Sequence, residues 1–329
     1  MNMIPRVPFL ALLAAVLTPA AAMGAQTPPP VPAAPASAAD TRLRQLYNGY
    51  SDWAAKEFGF FENERGETKS TDYLPRVDPA TQQRRADHLR GLLAQLNAID
   101  AAQLSAEERI NAAVFRTILE TAVADAQFRE WEMPFNSDSS FWTYLDEPNG
   151  LDDAAEYRRY IARMRDVPRY FREQIANMRD GLKRGFTVPR VTLEGRDASI
   201  AAFVEPDVEK NAFYGAFKDM PQPMPESEKA ALRAQGREAI TGSVLPAYRE
   251  LLAFYRNEYL PRARTSVSAG ALPNGDAYYR AQIREFTTLD LGPEEIHQIG
   301  LKEVARIDAE MRQTMVASGF KGLKKANGR

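Results

Sequence analysis

The chain contains no cysteine among its 329 residues and only two histidines, His88 and His297. The first absence excludes disulfides, thiol nucleophiles, thiolate metal ligands and lipid attachment through a cysteine, and it leaves the redox compartment open. The second is equally restrictive. A zincin-type site needs two histidines one turn apart on a helix with a glutamate between them, so that both ring nitrogens face one metal. Neither histidine has another four residues on. We therefore expect no metal ligand and no catalytic residue of a conventional kind within the chain. A Ser-His-Asp triad would have only these two histidines to draw on. No G-x-S-x-G elbow exists either, since the nearest string, SVSAG at 266–270, lacks its first glycine. Gly-rich phosphate loops are missing too. Charge of one sign is also lacking: 42 basic against 44 acidic residues leave a formal net charge of −2. Neither nucleic acid nor an anionic membrane is an expected partner on that balance. Carboxylates are abundant enough for a glycosidase-like pair, but no spacing singles one out.

What is present is ordinary for a globular chain: 44% hydrophobic and 26% charged residues, with length for one large domain or two of typical size. The first 25 residues predict a signal peptide. Arg6 supplies the basic end, Val7 to Val16 the apolar stretch, and Ala20-Ala21-Ala22 or Gly24-Ala25 the small-residue cleavage site. At roughly 10–15 residues the apolar stretch is short for a membrane span, a retained anchor being the alternative. Residues 26–39 are a Pro/Ala-rich linker, and the mature protein is expected to be periplasmic or secreted, with no membrane role beyond export.

From Asp40 the apolar spacing is helical almost throughout. Leu43, Leu46, Tyr47, Tyr50, Trp53 and Ala54 form one face. Gly59 to Pro75 reads as a connection. Asp78-Pro79 starts a helix to Asn97, on which His88 is expected to be partly solvated. Ser105 to Glu108 forms a capping box, opening a helix with Ile110, Val114, Ile118, Leu119, Ala122 and Ala126 on its buried side. The aromatic stretch Phe128 to Leu145 either lines a ligand cleft or plugs the core. Asp152 opens a long amphipathic helix through Tyr160, Met164, Val167, Phe171, Ile175, Met178 and Leu182, with a kink or break expected at Pro168 and an end at Gly185. Phe186 to Gly195 is the one β-like piece. It must pair with a strand or lie in a groove. Helices follow over Glu226–Ile240 and Pro246–Tyr259. Near the end, Asp276 is expected to cap a helix from Ala277 to about Thr288, and Pro293 starts another, with Gly292 before it and Glu295 completing a capping box.

The run ALPNGDAYYRAQIREFTTLDLGPEEIHQIGLKEVARI, residues 271–307, resembles the bacterial domain-of-unknown-function 885 family. GLKRGFTVPRV and PAYRELLAFYRNEYLPRAR are similar to it as well, so the likeness covers most of 40–322, with residues 323–329 a divergent tail. The resemblance implies exported or cytosolic helical proteins that look like zinc metallopeptidases, whose metal signature, HE-x-x-PGHH, lies further along than this sequence reaches. The fold class it implies, together with the periodicity, is mainly α. That is a multi-helix array with one short β-like segment near 186–195, like the N-terminal half of a helical zincin-like domain. The functional expectation is a truncated portion of an exported, metal-dependent peptidase-like protein. On this expectation the portion is inactive by itself, with zinc and a peptide substrate belonging to the full-length protein and the missing C-terminal half required. The alternatives are a self-sufficient periplasmic binding or scaffold module with an aromatic ligand surface, and a metal-free hydrolase using carboxylates.

Three residues are substrate-binding candidates. His297 lies on a helical stripe with Gly300, Leu301, Val304, Asp308, Met311 and Met315, which predicts a packed histidine. The family motif also carries histidine here, which implies a place in its cleft as a substrate contact or a support for metal ligands. Tyr278 and Tyr279 match a YY pair of the family. A phenol can donate to an oxyanion, though tyrosines on an amphipathic helix are commonly core.

Overall fold

The computed structural model describes residues 37–63, 66–136, 139–147 and 151–319. The expected signal peptide, residues 26–36 of the linker and the 323–329 tail lie outside the described residues. The chain divides into two compact units, with the boundary between Pro273 and Asn274. Among the described residues no helix is long and apolar enough to cross a membrane.

In the first unit, helix α1 (Ala38–Glu57) starts at a complete capping box. Ser37 Oγ accepts from Asp40 N–H at 3.0 Å, and the Asp40 carboxylate accepts from Ser37 N–H at 3.3 Å. A short antiparallel hairpin follows, β1 (Phe60–Glu62) with β2 (Thr68–Ser70), in the stretch expected to be a plain connection. Asp78 caps α2 (Pro79–Asn97) by accepting from Thr81 N–H at 3.0 Å, and Ser105 caps α3 (Ala106–Phe128) through Glu108 N–H at 3.2 Å.

These three helices share a small core of Leu43, Tyr50, Ala54, Leu89, Leu92, Leu96, Phe115 and Leu119. The buried side of α3 is rotated from the one expected. Ile110 and Val114 are 66% and 47% exposed, while Phe115 is buried with its ring centroid 5.4 Å from that of Tyr50. A phenyl ring buries more apolar area than a valine, so the face carrying Phe115 wins. The choice also buries Glu108, whose carboxylate Arg44 Nε meets at 2.6 Å.

The main core forms around α4 (Ala154–Arg184). Its predicted apolar positions are all buried, and Gly185 closes it at φ 78°. Pro168 does not break it. A helix-interior proline costs about 3 kcal/mol or more, and burying large side chains recovers roughly 1.5–3 kcal/mol apiece. Val167, Tyr170 and Phe171 are all buried beside the proline. Asp166, expected to recap the chain there, instead accepts from Leu74 N–H at 2.9 Å and from Arg169 Nε at 2.8 Å.

Phe186 to Gly195 is extended only over its first residues and forms no strand. Its polar partner is Arg264. Arg264 N–H donates to Thr187 Oγ1 at 3.0 Å, its Nε donates to Thr187 O at 2.8 Å, and Arg190 N–H donates to Arg264 O at 2.7 Å. Two prolines, Pro189 in this segment and Pro261 beside Arg264, remove N–H donors that a ladder would need.

After the short α5 (Asp197–Ala201), the two helices expected over 226–259 are one continuous rod. It comprises α6 (Glu226–Ala239), a π turn at Ile240–Val244, α7 (Leu245–Phe254), a second π turn at Tyr255–Tyr259, and α8 (Leu260–Arg262). Each π turn sits just before a proline, Pro246 or Pro261. A proline ring clashes with the carbonyl four residues earlier, here Gly242 or Asn257, and the wider π turn moves that carbonyl aside.

Within the aromatic stretch 128–145, Phe135, Phe141 and Trp142 join this core. Phe128, Phe135, Phe141 and Trp142 are buried, and Tyr144 is the large exposed exception. Trp142 Nε1 donates to Ser199 Oγ at 3.1 Å, and Tyr248 Oη donates to Trp142 O at 2.5 Å. Tyr157, Tyr160 and Tyr255 likewise donate to Ala216, Phe213 and Leu193 carbonyls at 2.6, 3.0 and 2.8 Å. Buried phenols thus satisfy carbonyls of irregular segments that no ladder reaches.

The second unit contains α9 (Gly275–Thr287) and α10 (Pro293–Ala317). Asn274, left-handed at φ 54°, starts α9 two residues before the expected position, so Asp276 falls in the first turn and caps nothing. Thr288, left-handed at φ 59°, closes it. Gly292 precedes Pro293 as expected, but no side chain caps α10.

Candidate functional site

The three residues singled out by sequence all lie in the second unit, both tyrosines on α9 and the histidine on α10. Tyr278 is buried, whereas Tyr279 is 43% exposed, as expected for neighbours about 100° apart on a helix. His297 is exposed, so the packed-histidine expectation fails. The stripe meant to bury it is itself open. None of the 25 residues of α10 is buried, and Ile299, Leu301, Val304, Ile307, Met311 and Val316 are between 45% and 83% exposed. Phe286 and Leu289 add 63% and 54% exposed side chains from the end of α9.

The rest of α10 is held by its own charges. Arg306 bonds Glu303 and Glu310 at 2.8 and 2.7 Å, and Arg312 bonds Asp308 at 2.8 Å, at the three- and four-residue spacings that stabilise a helix without a core. The outcome is a helix whose large apolar side chains stay exposed and whose Asp308–Arg312 pair interrupts the stripe of Leu301, Val304 and Met311.

His88 belongs to the first unit. It is partly solvated, as expected, with its ring centroid 4.3 Å from that of Trp53 and a buried Nε2 that no described residue meets. Desolvation lowers its pKa, opposed by the charge of Glu57 and reinforced by Arg84. The two histidines therefore stand in different units, and no described residues form a group of three His, Cys, Asp or Glu able to hold a metal ion. The donor set for the zinc that the resemblance implies is not found among the described residues, and no chemical step is derived through it.

One polar cavity was not anticipated. It lies in the first unit, has a volume of about 220 Å³, and sits between β2 and the start of α4, lined by Lys69, Glu147, Asp152, Glu156, Arg159 and Arg163 among others. The available signal was the 4, 3, 4 spacing of Asp152, Glu156, Arg159 and Arg163, which puts four charges on one helical face.

Residues 53–328 match the family model described as "Bacterial protein of unknown function (DUF885)". The fold is also that of a crystal structure of a candidate lipoprotein from Colwellia psychrerythraea, at a TM-score of 0.69 and 20% sequence identity. That alignment covers 86% of this chain and 51% of the solved chain, so the present chain spans about half the length of that protein. At that identity the likeness speaks to the fold alone. No curated protein matches the chain. With the family model matched over most of its length, the chain belongs to the DUF885 family of bacterial proteins.

Proposed function

We propose that this chain is the amino-terminal portion of an exported, metal-dependent peptidase-like protein and does not catalyse by itself. The observation that carries the reading is the open apolar face of α10. Six large apolar side chains, none less than 45% exposed, stand open on a 25-residue helix, and four of them, Leu301, Val304, Ile307 and Met311, fall within about 120° of its circumference. Soluble proteins rarely leave such a patch uncovered, and a second folded body is its natural cover. Full burial of a leucine, valine or methionine contributes about 1.5–3 kcal/mol, so covering the half-exposed ones contributes roughly 1–2 kcal/mol each. The half-length overlap with the solved relative supports the same picture. On this reading the cover is a carboxy-terminal half carrying the metal ligands. Tyr278, Tyr279 and His297 then stand beside the joint as contacts for a peptide substrate, and the pattern of the first 25 residues directs export to the periplasm or beyond.

The test is co-expression of this chain with the carboxy-terminal half of a full-length relative. The two halves should co-purify, bind zinc and hydrolyse peptides, while this chain alone self-associates and shows no chelator-sensitive hydrolysis. Val304→Asp with Met311→Asp should abolish co-purification yet leave the helical content of the isolated chain unchanged. An isolated chain that stays monomeric at high concentration, together with co-purification indifferent to the double substitution, would overturn the reading.

A further inference from the structure

The polar cavity of the first unit carries side chains of both charges. Three cations and three carboxylates line it, with Leu151 as the apolar contact. Most of these charges are already spent on one another. Lys69 Nζ lies 2.8 Å from Glu156 and 3.1 Å from Asp152, Arg163 bonds Glu147, and Glu156 also accepts from Asp152 N–H at 2.9 Å.

Arg159 is different. Its guanidinium lies 5.2 Å from the centre of the Phe61 ring and comes within 3.8 Å of Glu156, but it makes no hydrogen bond to any described residue. Its side chain is only 26% exposed. Five N–H donors on a planar fork, set over an aromatic face and held only by the long ion pair with Glu156, therefore stand at the cavity. The opposite charge is available too. Asp152 is 76% exposed, with one oxygen engaged by Lys69, and Glu147 is 31% exposed.

We propose that this cavity binds a small zwitterion of amino-acid size, its carboxylate on the Arg159 fork and its ammonium against Asp152 and Glu147. A simple anion would meet three carboxylates on entry, and a simple cation three basic groups. A ligand with both charges meets a complement for each. The size agrees. A volume of 220 Å³ is below the 300–1,000 Å³ usual for drug-sized ligands and equals that of about seven waters at roughly 30 Å³ each. The site is open and salt-screened, so the affinity is set on the order of a millimolar. The inference concerns the first unit only and stands apart from the peptidase reading.

The experiment is an NMR titration of the full chain in low-salt buffer, with L-alanine, L-alanyl-L-alanine, acetate and ethylamine each taken to about ten times a millimolar affinity. Alanine or the dipeptide should shift resonances of residues 68–70 and 151–163, with acetate and ethylamine at least about tenfold weaker. Whichever zwitterion binds more tightly identifies the source as free amino acid or short peptide. Arg159→Gln should weaken binding at least about tenfold, whereas Arg158→Gln, one residue away and paired with Glu228, should not. Should Arg159→Gln fail to fold, Asp152→Asn at an exposed position reads the ammonium half instead. Acetate binding as well as alanine, binding indifferent to Arg159 and Asp152, or no shift with any ligand would each overturn the proposal.

Discussion

Two glycines in helices should respond to the same substitution with opposite signs. Gly91 lies in mid-α2, is exposed, and a Cβ added there would have nothing within 4 Å. Gly91→Ala should stabilise by about 0.5–1 kcal/mol, the difference in helix propensity. Gly181 lies in the last turn of α4, and a Cβ there would sit 2.6 Å from Glu132 O and 2.8 Å from Phe186 O. Both neighbours are backbone, so neither can rotate away. Phe186 N–H also donates to Gly181 O at 2.8 Å, so moving α4 aside to relieve the overlap strains the closing hydrogen bond of the helix. Overpacking typically costs about 1–3 kcal/mol, and the propensity gain of up to about 1 kcal/mol offsets only part of it. Gly181→Ala should therefore be destabilising by about 1–2 kcal/mol. Urea unfolding of the three proteins, followed by far-UV circular dichroism, reads both signs in one experiment. If Gly181→Ala were as stabilising as Gly91→Ala, the close approach of residue 132 to α4 would be wrong.

Other perturbations test the polar joints. Arg169→Ala should cost about 2–3 kcal/mol in the same unfolding assay, because Asp166, largely buried, loses its cation, Glu173 is left with Arg76 alone, and Leu74 O loses a donor at 2.7 Å. Tyr248→Phe should cost about 1–3 kcal/mol by leaving the buried Trp142 carbonyl without its donor. His88 makes a pH prediction. Its folded pKa lies below the ordinary value of 6.5, so the unfolded chain takes up the proton first as pH falls. Its contribution is fully present above about pH 6.5 and is lost as pH drops through the unfolded pKa toward the folded one. Unfolding midpoints at pH 7.5 and 5.5 (about one unit either side) should differ more in the native protein than in His88→Phe. Equal differences would remove His88 as the cause.

Local chemistry made much of the fold legible. Asp78-Pro79, Ser105 and Gly185 end or start helices through atoms within four residues of themselves, and the apolar spacing of α4 is regular enough to survive even Pro168. What escaped depends on distant partners. Strands of three residues each, Phe60–Glu62 and Thr68–Ser70, carry too little pattern to stand out from a connection. The face of α3 was misjudged because Ile110 and Val114 have the right spacing, yet Phe115 has Tyr50 to meet. At the candidate site the stripe through Val304 and Met311 was legible, and so was the place of His297 on it. Its exposure was not, since a helical pattern specifies which face is apolar and says nothing of what covers it. The cavity charges were readable as spacing on α4, but the contribution of Lys69 required the hairpin.

The two π turns before Pro246 and Pro261 have a consequence for how this protein can change length. Each acts as a single inserted residue, rotating everything after it by about 100° relative to an unbroken α-helix. Tyr248 and Leu251, which follow the first π turn, sit in the α4 core in that rotated register, and Tyr259 closes the second π turn buried in the same core. Removing one residue from 240–244 would straighten the rod but swing the tyrosine face about a third of a turn off its seat. It would also return a proline ring to the carbonyl it now avoids. Bulge, proline and aromatic register are thus a single heritable unit. A lineage can lose all three together or keep all three, and any intermediate should fold poorly.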